Sequence, residues 1–286
     1  MPKIKEEALK FGEHDQALAI ATFPTVLPKS CPILVIFNAG LLSKSEPFRM
    51  NVLAARACAK KGYIAVRIDL SGKGDTPTRE GLSNRESVNK DWAALEKSLY
   101  SRFGKRTFIL MGLCSGADNA IKIAAQSNGV RGLILLDPKI PQDTGYMYRH
   151  WHQKVTSPQK WLNISSTLSN RVRALFSKNK DDINVNELRD LPTEEELNIV
   201  CKKMAENNGR VLSFFTSFAL PYYNKKGQFV SVTNIPNFEH FCDEYWWPHI
   251  DHVYSVQAHR EQLINTIECW CEQHLQVFQQ EKLNPL

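Results

Sequence analysis

The sequence lacks the features that mark several broad classes of protein. Its longest apolar runs, such as Pro32 to Phe37 and Leu133 to Leu136, fall far short of the roughly 20 residues needed to cross a bilayer. The opening Met-Pro-Lys-Ile-Lys-Glu-Glu has no apolar core of the kind a secretory signal carries, so a cytoplasmic location is expected. The seven cysteines (Cys31, Cys58, Cys114, Cys201, Cys242, Cys269 and Cys271) are odd in number and scattered. None forms a Cys-x-x-Cys pair, which argues against a zinc ribbon or a thioredoxin motif, and Cys269 and Cys271 suit a C-terminal helix better than a metal. There is no basic repeat, RNP-type motif or zinc finger to suggest nucleic acid. A net charge of +6 is small enough to be solvated surface, and at most favours anionic substrates such as a coenzyme A or carrier-protein thioester. No internal repeat or low-complexity tract is present.

What remains is a globular pattern. The 286 residues are 43% hydrophobic, enough for one large sheet-based domain with an insertion. Ala8–Phe11 and Ala17–Phe23, separated by turn-forming residues, read as a hairpin. From Ile33 onward strands and helices alternate. Strands are expected at 33–37, 63–68, 107–111, 132–136 and 211–215, with a last one within 241–247. Helices are expected at 47–61, 87–103, 117–126 and 258–279. Such alternation implies βαβ units and a mostly parallel sheet flanked by helices, an α/β class. Residues 139–210 break the rhythm. They hold Tyr146, Tyr148, Trp151 and Trp161 and a charged helical stretch around Glu194 to Met204, and are expected to be a helical cap inserted into a single domain spanning 1–286.

The chemistry concentrates in Thr107–Asp118, where Gly112-Leu-Cys-Ser-Gly116 joins a strand to a helix. This is a nucleophile-elbow pattern with cysteine at its centre. Small residues at 112 and 116 keep neighbouring chains clear, and the helix N-terminus favours a thiolate and a developing oxyanion. Ser115 is out of frame as the nucleophile, because centring the motif there would require glycines at Leu113 and Ala117. The base is expected late in the chain, before the terminal helix. His252 fits that position best, with His249 and His240 as alternatives.

The orienting acid is the open element. The region after the strand before last, Phe215 to Lys226, contains neither Asp nor Glu. Asp137, at the end of an earlier strand, is one solution. Asn224 is another, through a neutral amide, and a Cys-His dyad is the third. Asp137 is the preferred choice. The oxyanion hole is expected to use the backbone N–H of Ser115 and that of Leu41, in the loop Asn38-Ala-Gly-Leu-Leu-Ser. Asp69-Leu-Ser-Gly-Lys-Gly-Asp75 resembles a phosphate loop only superficially and lacks its spacing, so it reads as structural.

The order of hairpin, Asn-Ala-Gly loop, Asp69 turn, Gly-Leu-Cys-Ser-Gly elbow, cap and late Asp251-His252 resembles the α/β-hydrolase superfamily across nearly the whole chain. Pro47 to Ala57, together with the elbow, is similar to a branch that includes exosortase-associated hydrolases. The cysteine elbow is locally similar to dienelactone hydrolases and polyhydroxyalkanoate synthases. That resemblance implies a Cys-Asp-His triad and a covalent acyl-thioester intermediate, with roles that carry over to Cys114 and His252 but not to the acid. The expected activity is hydrolysis of a small-molecule ester, lactone or thioester without metal or organic cofactor. The rivals are acyl transfer to an amine, alcohol or thiol, and a non-catalytic binding protein on the same fold.

Overall fold

The computed structural model describes residues 3–12, 16–155 and 189–279. Eight strands among them form one sheet in the order β1-β2-β4-β3-β5-β6-β7-β8. The hairpin β1 (Ile4–Phe11) and β2 (Ala17–Pro24) is antiparallel, and β2 pairs antiparallel with β4 (Ile64–Ile68). The strands β3 (Ile33–Phe37), β4, β5 (Phe108–Leu113), β6 (Val130–Leu136), β7 (Arg210–Thr216) and β8 (Cys242–Trp247) run parallel. All five residues of β3 and of β4 are buried, as unbroken apolar runs in a sheet covered on both faces should be. The edge strand β8 instead alternates between covered and open positions.

Alternate residues of the central strands feed two cores. Ile33, Val35 and Phe37 face one, and Leu34 and Ile36 the other. The second core is closed by α1 (Met50–Lys60) and the long C-terminal helix, and the first by α2 (Asn84–Phe103) and α3 (Ser115–Gln126). A Ser83–Glu86 capping box fixes the start of α2.

Of the stretch 139–210 expected to form a cap, two helices are described. One is α4 (Tyr146–Val155). The other, α5 (Glu194–Glu206), buries Leu197, Val200, Cys201 and Met204 in the same core as α3, so it packs on the sheet as the crossover between β6 and β7. Trp161 lies outside the described residues. The C-terminal helix, α6 (Gln257–Gln279), buries Leu263, Ile267, Trp270, Cys271 and Phe278. Among the described residues no helix is long and apolar enough to cross a membrane.

Candidate active site

β5 ends at Leu113 and α3 begins at Ser115, which leaves one residue, Cys114, to turn the chain. Its backbone sits at φ 56° and ψ −120°, a region that L-residues with a side chain rarely occupy. The turn holds because Cys114 N–H donates to Leu136 O (2.8 Å) and its carbonyl accepts from Asp118 N–H (3.1 Å). The two flanking glycines are there for space. A Cβ on Gly112 would collide with the Gly116 backbone, and one on Gly116 would lie 2.8 Å from Asn38 O. The elbow is thus pressed against the loop after β3.

Asp137 follows β6 directly and is fully buried, also with a positive φ of 48°. His252 sits on the loop between β8 and α6, and its Nδ1 lies 2.7 Å from Asp137 Oδ2. Two further donors hold the carboxyl. Thr216 N–H donates to Oδ1 at 2.7 Å, and the Thr216 hydroxyl to Oδ2 at 2.6 Å. The register pairs Leu136 with Phe214, so the end of β7 places Thr216 beside Asp137. The position after β7 that carries no acid in the sequence therefore carries two donors for an acid on the neighbouring strand. Phe218 stacks on the imidazole with ring centroids 3.9 Å apart, which fixes its plane.

Burial lowers the affinity of His252 for a proton, but hydrogen bonds to Asp137 and to Cys114 outweigh it and lift the pKa from 6.5 to about 9. Since Nδ1 is engaged with Asp137, the nitrogen facing Cys114 is Nε2. The three groups thus line up as thiol, imidazole and carboxyl, with nucleophile, acid and base in that order along the chain.

The alternatives raised by the sequence fall elsewhere. Asn224 is turned away, accepting from Arg149 Nε (2.8 Å) and donating to Tyr146 O (3.1 Å). His249 and His240 are exposed. Asp251 accepts from Val253 N–H and Ser255 N–H and so caps the turn before α6. In the loop after β3, the N–H that reaches the elbow is that of Gly40, which donates to Ser115 Oγ at 2.8 Å. Leu41, one residue on, is 87% exposed. Thr216 is the residue of this cluster that sequence reasoning missed. A buried Thr ending a strand beside an acid-ending one is a signal only once the strand order is known.

Around this line lies a ring of charge. Arg189 pairs with Asp118 and donates to Asp137 O (3.3 Å), and Lys122 pairs with Asp190 (2.6 Å). Among the described residues no group of three or more His, Cys, Asp or Glu side chains could hold a metal.

No family model matches the chain, and no curated protein does. Solved structures do. Est1E from Butyrivibrio proteoclasticus is 14% identical and superposes with a TM-score of 0.59, over 94% of this chain and 99% of that one. An esterase from Pyrococcus furiosus is 14% identical, with a TM-score of 0.56 over 94% and 91%. The dienelactone hydrolase from Anabaena variabilis is 10% identical, with a TM-score of 0.55 over 93% and 96%. This is the α/β-hydrolase fold. At such identities the likeness extends to the fold alone. Within this fold the elbow, the end of β6 and the loop after β8 all open at the C-terminal edge of the sheet, where ligands of open α/β sheets bind.

Proposed function

We propose that the protein is an acyl-transfer enzyme that works through a covalent acyl-thioester on Cys114 and hydrolyses an ester, lactone or thioester. The observation that carries this reading is the alignment of Cys114, His252 and Asp137 at one sheet edge, with the Asp137 carboxyl held by Thr216. The contact between Asp137 and His252 offers an orienting acid, which supports a catalytic reading over a purely binding one. That solved relatives in fold include an esterase and a dienelactone hydrolase agrees with ester chemistry.

In the proposed cycle His252 Nε2 takes the Cys114 proton, and the sulfur attacks the substrate carbonyl carbon. Charge then develops on the carbonyl oxygen, where the Ser115 N–H at the start of α3 and an N–H of the loop after β3 receive it. Leu41 and Gly40 are the candidate donors in that loop, and Gly40 would first have to release Ser115 Oγ. The tetrahedral adduct collapses. The C–S bond to Cys114 stays, the bond to the leaving group breaks, and the imidazolium returns its proton to the leaving group. Water then repeats the sequence with His252 as base, releasing the acid and restoring the thiol. The raised pKa, about 9, reflects an imidazolium paired with the Cys114 sulfur and suits proton donation to the leaving group; acylation removes the sulfur's share of that lift and frees His252 to act as base toward water.

The test is thiol reactivity. At pH 7 Cys114 is expected to alkylate with iodoacetamide at least about tenfold faster than the exposed Cys269, and His252→Gln is expected to abolish that advantage. Peptide-resolved mass spectrometry reads both rates. Equal rates at the two cysteines in the wild type would count against a catalytic thiol.

A further inference from the structure

Most of the cations at the C-terminal sheet edge have partners. Lys44 pairs with Asp69 and Asp75, Arg79 with Asp91, Lys122 with Asp190, and Arg189 with Asp118. Two lysines differ. Neither Lys73 nor Lys139 is paired with a carboxylate among the described residues, and both are half-buried.

Lys73 is presented by a rigid turn. The fully buried Asp69 carboxylate accepts from Lys44 N–H (2.5 Å), Lys44 Nζ (2.8 Å) and Asp75 N–H (3.1 Å). Lys73 N–H donates to Leu70 O and its carbonyl accepts from Thr76 N–H, both at 3.0 Å. Gly74 lies so close to the Asp69 carboxylate that no side chain fits there. The turn follows β4, which runs parallel to β3 and β5, so it lies at the same sheet edge as Cys114, and the charges that act on the ammonium are those of Lys122, Cys114 and Asp91. The acid that also acts on Lys73, Asp91, is already held by Arg79 and Ser71.

Lys139 comes two residues after Asp137. Its Nζ stands 4.0 Å from the ring centre of Tyr222, whose hydroxyl donates to Asp137 O at 3.4 Å. The nearby Asp118 is occupied by Arg189 and by the Lys139 N–H. Burial disfavours the charge on both lysines. Half-buried ammonium groups without a counter-ion carry a free-energy cost that a bound anion would offset.

We propose that Lys73 makes the Cys114 site selective for acyl substrates bearing an anionic group, such as a carboxylate-terminated acyl chain, with Lys139 adding positive charge on the Asp137 side of the same sheet edge. This rests on the reading of Cys114 as the acyl-accepting thiol. The positive field concentrates anions at the thiol and leaves neutral acyl groups without an equivalent anchor. The Asp69 turn thus gains a role in specificity besides its structural one.

The experiment compares two reagents of nearly the same size, iodoacetate and iodoacetamide, at Cys114. The ratio of their rates cancels the intrinsic reactivity of the sulfur and reports the positive field there, to which the His252 imidazolium also contributes, so the share of Lys73 is read from the change between wild type and Lys73→Met. The iodoacetate-to-iodoacetamide ratio at Cys114 is expected to exceed that at Cys269 by about tenfold. Lys73→Met should lower it by about fivefold and Lys73→Arg should preserve it, with the Cys269 ratio constant throughout as a check on the fold. The same collapse should appear in the kcat/KM preference for p-nitrophenyl hemisuccinate over p-nitrophenyl butyrate. A Cys114 ratio that is the same in wild type and Lys73→Met overturns the inference while leaving the acyl chemistry standing. A Cys114 that takes neither reagent overturns both.

Discussion

Two residues, one at a strand end and one on a loop, meet at the Asp137 carboxyl, where Thr216 donates to both oxygens and His252 engages Oδ2. The interaction with His252 couples the site to stability. The folded pKa of His252, about 9, lies above its ordinary 6.5, so the folded chain holds this proton across an interval in which the unfolded chain releases it. The contribution is therefore complete below pH 6.5 and is lost as pH rises through about 9. Urea midpoints for wild type and His252→Gln should differ most near pH 6 and converge by about pH 10. A difference that grows with pH would contradict the hydrogen-bonded imidazolium. Cys114 and His252 were legible in the sequence because each announces itself locally, one by Gly-x-Cys-x-Gly between a strand and a helix, the other by its place before the terminal helix. Asp137 was one of three candidates, since choosing it depends on which strands are neighbours. Thr216 was invisible for the same reason. A threonine supporting an acid on the next strand leaves no trace in its own segment.

At the level of elements, the elbow and the loop after β3 behave as one unit. Asn38 joins them to the turn after β4, donating to Leu42 O (3.0 Å) and accepting from Leu70 N–H (3.3 Å). Gly116→Ala would drive a methyl group to 2.8 Å from Asn38 O. The expected cost is about 1–3 kcal/mol of stability, from overpacking against backbone that cannot turn aside. The loop bearing Gly40 should shift with it, so acylation of Cys114 is expected to slow by about 10²-fold, the scale of losing an oxyanion donor. Stopped-flow acylation beside a denaturation curve checks both, and wild-type rates in a folded variant would remove the loop from the mechanism. The helices were legible to within a few residues, because apolar spacing and caps are local. The layer each occupies was not. The face Leu197, Val200, Cys201 and Met204 shows that α5 packs on something apolar, but periodicity cannot distinguish a cap from the crossover helix that it is.

Over the whole molecule, six parallel strands bring the ends of β3, β4, β5, β6, β7 and β8 to one edge, and every group in the proposed chemistry lies there. That arrangement survives at 10–14% identity to solved structures because burial on both faces demands only apolar runs of the right length, whereas the site demands particular residues. The central claim is that Cys114 carries the acyl group. Intact-protein mass spectrometry after brief exposure to a panel of short, aromatic and carboxylate-terminated esters and thioesters tests it most directly. The wild type should gain one acyl mass and Cys114→Ala none. An adduct that persists in Cys114→Ala, or a panel turned over equally by both proteins, would contradict it.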